Sequence, residues 1–494
     1  LPQFVIFITA IVLSLADAFL PSRLHYVWLT ALSLLGYGLG LLLLFGQHDQ
    51  NESTFYGLFR ADGLTVFLTL IILAAAILTV LVSASYVDNL EGRMPLGEFY
   101  TLLSFSVLGA LLTASAGDLV MLFVGIELSS LATYILTAFA KRRATSLEGA
   151  LKYFLLGLFA SAILLYGMAW VYGSTGTTEL DQISRNLQAV VVGQDSLDAS
   201  LLLGLLLVIV GLGFKLAAVP FHFWTPDAYD GAPTPVTAFM SVVPKAAAIA
   251  ATVRILVQGM APLRDDWIQL IAVLALITMV FGNIVAVSQR NVKRMLAYSS
   301  IAHTGYMLAG LAAYTTREGF TSGGEASEQG VSSVLYYLLA YTFMNIGAFA
   351  IVAWIQHRGR GIELEDFRGL ASSHPLPAAA MTVFLISLMG IPPTIGFYAK
   401  YYVIVALLDS DLLWLALAIV LMSAVSAFFY LRVVAVMYFS EGEASPRHTT
   451  TRLLDVGIAG MVIAVFLLGL FSGQIVDLAD GWADALTLTA QAAP

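Results

Sequence analysis

One carboxylate and three ammonium groups stand inside stretches that read as membrane. Glu127 lies in "LVMLFVGIELSSLATYIL", Lys215 in "GLGFKLAAVP", Lys245 in "SVVPKAAAIA" and Lys400 in "IGFYAKYYV". Ions at bilayer depth are costly and mark ion or proton pathways. The chemistry open to such a set is proton exchange. Desolvation makes an ammonium a stronger acid, and a carboxylate beside it reverses the effect. Glu127 is the only acidic residue read near mid-membrane, so it is the expected partner of Lys215. Re-pairing it would load or release a proton with no metal or redox chemistry.

Other residues are weaker candidates. His303, in "SSIAHTGYM", and His222, two residues after Pro220, could relay protons, because imidazole titrates in the useful range. Lys152 follows Glu148 by one helical turn at a span end, where long basic side chains commonly snorkel to the interface. Arg254 and Arg432 read as interfacial. Trp224, Asp227 and Tyr229 read as anchors of their segment at the outer surface.

Composition sets the frame. The 494 residues are 59% hydrophobic and 11% charged, against about 25% charged in soluble domains. The net charge of −9 gives no support for nucleic-acid binding. With no cysteine, disulfides, iron–sulfur ligation and thiol chemistry are excluded. The seven histidines are scattered, which makes metal binding a poor reading. The glycines of "GLGFKLAAVP" lie on a membrane helix and follow no strand, so they do not form a phosphate loop.

An all-α polytopic membrane protein is therefore expected, with about fourteen transmembrane helices. They are read at 3–20, 26–46, 62–87, 98–116, 118–140, 147–173, 200–230, 235–260, 266–288, 293–314, 331–357, 376–408, 411–439 and 455–475. The first lacks the basic flank of a signal peptide and is read as a membrane helix. Strand alternation is absent over any useful length, which argues against a β-barrel. Thirteen Lys and Arg fall in odd-numbered loops and four in even ones (Arg60, Arg185, Arg264, Arg317). That bias puts the odd loops in the cytoplasm and both termini outside. Residues 174–199 suggest a short amphipathic helix through Leu180, Ile183 and Leu187, and 315–330 an external loop.

Spans seven and twelve are long, and both are interrupted, by Pro220 and by "GIPPTIGF". Proline lacks the donor that a helix needs and clashes with the preceding turn. Backbone freed at membrane depth is tolerated only inside protein or beside water. Paired broken helices point to a transporter built of repeats. Lys215 and Lys400 are roughly five spans apart, which suggests two inverted five-helix repeats, spans 4–8 and 9–13. The expected division is 1–97, 98–260, 261–440 and 441–494.

The stretch "FKLAAVPFHFWTPDAYDGAPTPVTAFMSVVPKAA" resembles the N-type antiporter-like membrane subunit of respiratory complex I, the proton-pumping NADH:quinone oxidoreductase. So do "GIELSSLATYIL", "EGALKYFLLG", "NVKRMLAYSSIAHTGYML", "EDFRGLA" and "GIPPTIGFYAKYYV". Lysine in span twelve argues against the related M type, and no long extension follows span fourteen as in an L type. The resemblance implies fourteen helices in two inverted repeats, and Glu127 with Lys215 as an ion pair. It implies Lys245 as the central link, Lys400 as the outward one, and Lys152 and His303 on the hydrophilic axis. It also implies no redox cofactor in this chain, with quinone, NADH, flavin and Fe–S clusters in other subunits. The implied partners are the M-type and the small K- and J-type subunits, in a bacterial cytoplasmic membrane or an equivalent one. Stand-alone cation/proton exchange and a structural spacer role are the competing readings. A spacer has no reason to keep the buried charges.

Overall fold

The computed structural model describes residues 2–21, 25–44, 46, 52–86, 96–193, 199–314, 329–441 and 452–491. The expected external loop at 315–330 falls almost wholly outside them, as do Arg23, Arg93, Arg317 and Arg447 from the charge bias.

In chain order come α1 (Pro2–Phe19), α2 (His25–Leu44), the hairpin β1 (Glu52–Thr54) and β2 (Phe59–Ala61), α3 (Gly63–Tyr86), α4 (Leu96–Ala114), α5 (Leu119–Thr137) and α6 (Ala144–Thr175). Then follow α7 (Leu180–Gly193), α8 (Ala199–Leu216), α9 (Trp224–Gly231), α10 (Thr234–Met240), α11 (Val243–Thr252), α12 (Arg264–Ser288) and α13 (Val292–Ala312). The rest is α14 (Gln329–His357), α15 (Leu370–Ser373), α16 (Pro375–Met389), α17 (Ile395–Asp409), α18 (Leu413–Phe439), α19 (Arg452–Leu470) and α20 (Ser472–Gln491). The amphipathic helix read at 174–199 is α7, and its Leu180, Ile183 and Leu187 are buried. The helix α20 follows span fourteen, where the sequence suggested only a tail.

Twelve helices among the described residues are long and apolar enough to cross a membrane. Span ten (α13) and the α16–α17 pair bring this to the fourteen read from the sequence. Although α13 has 21 residues, it carries Lys293, Arg294, His303 and several hydroxyls. The break leaves α16 and α17 with 15 residues each. Thr234–Gly259 and α14 are 94% buried in their most apolar stretch, against 33% for α1, α18 and α19. Spans eight and eleven are thus the centre of the bundle.

Span eight, expected as one helix over 235–260, is divided. Pro235 and Pro244 sit in the first turns of α10 and α11, where a missing N–H costs least. Its last seven residues, Val253–Gly259, form a π-helix.

Both predicted breaks are present. After α8, Ala217 takes φ +60° and the Ala218 amide turns back to Gly213 O at 2.8 Å. Val219 N donates to Thr278 Oγ1 on α12, and Thr304 Oγ1 on α13 donates to Leu216 O, each at 3.0 Å. After α16, Gly390 takes φ +90° and its amide donates to Ile386 O at 3.1 Å. The polar backbone at each break is therefore met by protein groups, as membrane depth requires.

The breaks belong to a wider correspondence. Asp118 caps α5 by accepting from Val120 N, and Asn291 caps α13 by accepting from Arg294 N. An isolated β-bridge joins Asp118 to Glu179, and another joins Asn291 to Glu363. Arg254 donates to Ala114 O at the end of α4, and Arg432 to Val287 O near the end of α12. Matched details of this kind mark a duplicated unit. Ala217 and Gly390 each directly follow the half-helix that ends at a break, α8 at Leu216 and α16 at Met389. Lys215 and Lys400 are not equivalents, because one precedes its break and the other follows it.

Candidate functional site

Glu127 and Lys215 meet as expected. Lys215 Nζ donates to Glu127 Oε1 at 2.8 Å and to Ser130 Oγ at 3.0 Å. Ser161 on α6 also donates to Glu127. The lysine side chain is 6% exposed and the carboxylate 17%, so the pair sits at the edge of the bundle with the acid on the outer side. Two charges held mainly by each other at low dielectric make a stable pair only while both remain in place.

Lys245 lies deeper and has no carboxylate within ion-pair reach among the described residues. Its Nζ donates to Ser300 O at 2.9 Å and Ser300 Oγ at 2.8 Å, and stands 5.3 Å from the centre of the Tyr341 ring. Beside Lys215 is a small cavity with room for about one water, lined by Ser129, Ser130, Tyr153, Lys215, Pro244 and Ala247 among others. From Tyr341 the seam continues to His303, with ring centres 5.2 Å apart. His303 Nδ1 contacts Tyr337 OH at 2.6 Å, and Nε2 contacts Tyr430 OH at 3.3 Å. The next ring, Tyr306, is 5.5 Å from His303 and 5.1 Å from Lys400 Nζ. Lys400 Nζ donates to Met389 O at 2.8 Å. This carbonyl closes α16, where the helix dipole favours a cation.

The other two candidates do not join this seam. His222 is buried against Phe223 and Phe281, and no hydrogen bond links it to the four central charges among the described residues. The Lys152 side chain is 44% exposed and pairs with Glu148 at 2.6 Å and Asp227 at 2.8 Å.

Two expectations are overturned. Asp227 also pairs with Arg294 at 2.8 Å, so α9 ends beside the basic openings of α6 and α13, on the face that the charge bias assigns to the cytoplasm. On that same bias, a seventh span starts outside and finishes inside. Trp224 and Tyr229 are buried, with Trp224 stacked on Tyr153 at 4.1 Å. Arg254 is not interfacial. It is fully buried and holds Asp62 with both terminal nitrogens, one at 2.8 Å. Thr65, Ala114 O and Gln258 complete its bonds. Asp62 stands just ahead of α3, far away in sequence, so no local spacing announced the pair. The sequence reading also missed Ser300, Tyr306, Tyr337, Tyr341 and Tyr430. Hydroxyls crowded on α13 and tyrosines on α14 were the available signal.

A twice-broken helical bundle with buried lysines in its interior belongs with the membrane proteins that translocate ions. Residues 116–427 match the family described as NADH:quinone oxidoreductase/Mrp antiporter, TM. NADH-quinone oxidoreductase subunit N of Rhodospirillum rubrum is 40% identical over 468 residues, 94% of this chain and 90% of that one. Subunit N 1 of Herpetosiphon aurantiacus is 43% identical over 493 residues, covering 99% and 96%. A chain of respiratory complex I from Thermus thermophilus superposes with a TM-score of 0.78 at 31% identity, covering 97% of this chain and all of that one. A chain of the Mrp complex from Dietzia shares the fold, with a TM-score of 0.84 at 21% identity over 99% and 98% of the two chains. The chain belongs to the NADH-quinone oxidoreductase subunit N family, the antiporter-like membrane subunits of complex I, whose members carry no redox cofactor.

Proposed function

We propose that this chain conducts protons through the membrane arm of a complex I-type NADH:quinone oxidoreductase by way of Glu127, Lys215, Lys245, His303 and Lys400. The observation that supports this most is the single seam of hydroxyls and ring faces that joins Lys245 to Lys400 past Tyr341, His303 and Tyr306. A proton from the cytoplasmic face reaches Lys215, crosses to Lys245, follows the seam to Lys400 and leaves on the outer side. Glu127 sets the direction. Paired, it keeps the Lys215 proton in place; drawn away by a neighbouring subunit, it lets that proton pass to Lys245.

The basic odd-numbered loops favour both termini outside a bacterial cytoplasmic membrane or its equivalent. NADH, flavin, Fe–S clusters and quinone belong in this reading to other subunits, with M-, K- and J-type chains alongside. The test is Lys215→Ala in the assembled complex reconstituted in vesicles. Proton uptake should fall while assembly persists. Full pumping by the assembled variant overturns the role, and sodium-driven proton exchange by the isolated chain would favour a stand-alone antiporter.

A further inference from the structure

Arg254 and Arg432 are repeat counterparts with different company. Arg254 Nη2 donates to Ala114 O at 2.9 Å, and Arg432 Nη1 donates to Val287 O at 2.8 Å. Arg254 also grips the Asp62 carboxylate and is fully buried. Arg432 has a second carbonyl, that of Gln289. Among the described residues no carboxylate reaches it, and its buried Nε has no partner. Arg290, exposed at the end of α12, brings a second positive charge nearby. The first repeat thus holds an anion at this arginine, while in the second no carboxylate stands within ion-pair distance of Arg432 or Arg290 among the described residues, the acidic turn Glu363–Asp366 meeting Arg290 through its backbone.

The surroundings indicate which anion fits. Arg432 lies level with the last carbonyls of α12, the end of a helix long and apolar enough to cross a membrane. Beside it, α12 exposes Phe281 and Ile284, and α18, packed against α12, exposes Phe428 and Leu431. A guanidinium fork matches phosphate oxygens in pairs. Basic pockets between membrane helices on the cytoplasmic side take anionic headgroups. A carboxylate from a neighbouring chain would satisfy Arg432 but would not cover this apolar flank. We propose that Arg432 and Arg290 bind the phosphodiester of an anionic phospholipid whose acyl chains lie along the α12–α18 face.

The experiment titrates the delipidated, purified complex with phosphatidylglycerol and counts bound lipid by native mass spectrometry. Phosphatidylcholine and inorganic phosphate are the comparison arms. Wild type should bind phosphatidylglycerol about tenfold more tightly than Arg432→Gln or Arg290→Gln, the effect of about one charge-assisted contact. Arg290 is exposed, so its variant separates lost binding from lost folding. Equal phosphatidylglycerol binding by wild type and both variants overturns the proposal. So does equally tight binding of inorganic phosphate, which would mean a free-anion site. Loss of a neighbouring subunit in the variants with lipid binding unchanged also overturns it, in favour of a carboxylate contact.

Discussion

Lys400 places its ammonium 2.8 Å from the carbonyl of Met389, on the other half of its own broken helix. Lys215, at the other break, is instead held by a carboxylate from a different helix. The two lysines therefore differ in what can release them. Lys215 depends on the position of Glu127, and Lys400 on the geometry of the break.

That geometry can be tested at Gly390. Its φ of +90° disfavours any side chain, and an added Cβ would meet Lys400 Cδ at 3.0 Å. Gly390→Ala should cost at least ~1 kcal/mol and lower proton pumping per electron more than it lowers quinone reduction. Thermal unfolding of the purified complex together with vesicle acidification reads both effects. Unchanged pumping would show that the position of Lys400 is not critical.

Removing one member of the Glu127–Lys215 pair leaves the other buried alone. Glu127→Gln and Lys215→Met should each destabilise more than the double substitution does, with a coupling of roughly 1–3 kcal/mol. All three should lose pumping. Additive stability losses would mean that the pair is energetically uncoupled.

The Asp62–Arg254 pair lies off the seam and should behave as a structural element. Asp62→Asn or Arg254→Gln alone should cost roughly 3–5 kcal/mol, the usual penalty for orphaning a buried charge. The measurement is the yield of assembled complex, followed by the pumping ratio in whatever assembles. Normal yield with lost pumping would move Arg254 into the conduction path.

Lys152 sits in an exposed ion-pair network, where each pair is worth about 0–1 kcal/mol. Lys152→Ala should leave stability within that range and change pumping by less than about twofold. A loss as large as that of Lys245→Ala would place Lys152 on the proton path.

Asp480, on α20 beyond the last span, is half-buried, and burial pushes its carboxyl up despite the Ser332 hydrogen bond. A carboxyl raised in the folded state stabilises docking fully below its ordinary value of 3.8. That contribution is lost as pH rises through the folded value. Protection of α20 amides, taken relative to the intrinsic exchange rate at each pH, should therefore be greater in acid than at neutral pH, and Asp480→Asn should flatten the difference. An identical pH profile in the variant would rule out this group.

The sequence by itself determined the spans, both breaks and the four buried charges. Hydrophobic length, proline chemistry and the cost of intramembrane ions are local properties that a single chain displays. The pairing of Glu127 with Lys215 was also legible, because few acids were available at that depth. Only the tertiary structure decided the partners drawn from distant helices: Asp62 for Arg254, Ser300 for Lys245, Tyr337 for His303 and the Met389 carbonyl for Lys400. It also turned Asp227 inward, and it put Lys215 and Lys400 on unlike sides of their breaks. Helix packing brings together residues with no fixed spacing along the chain, so their company is set by the bundle and not by any motif.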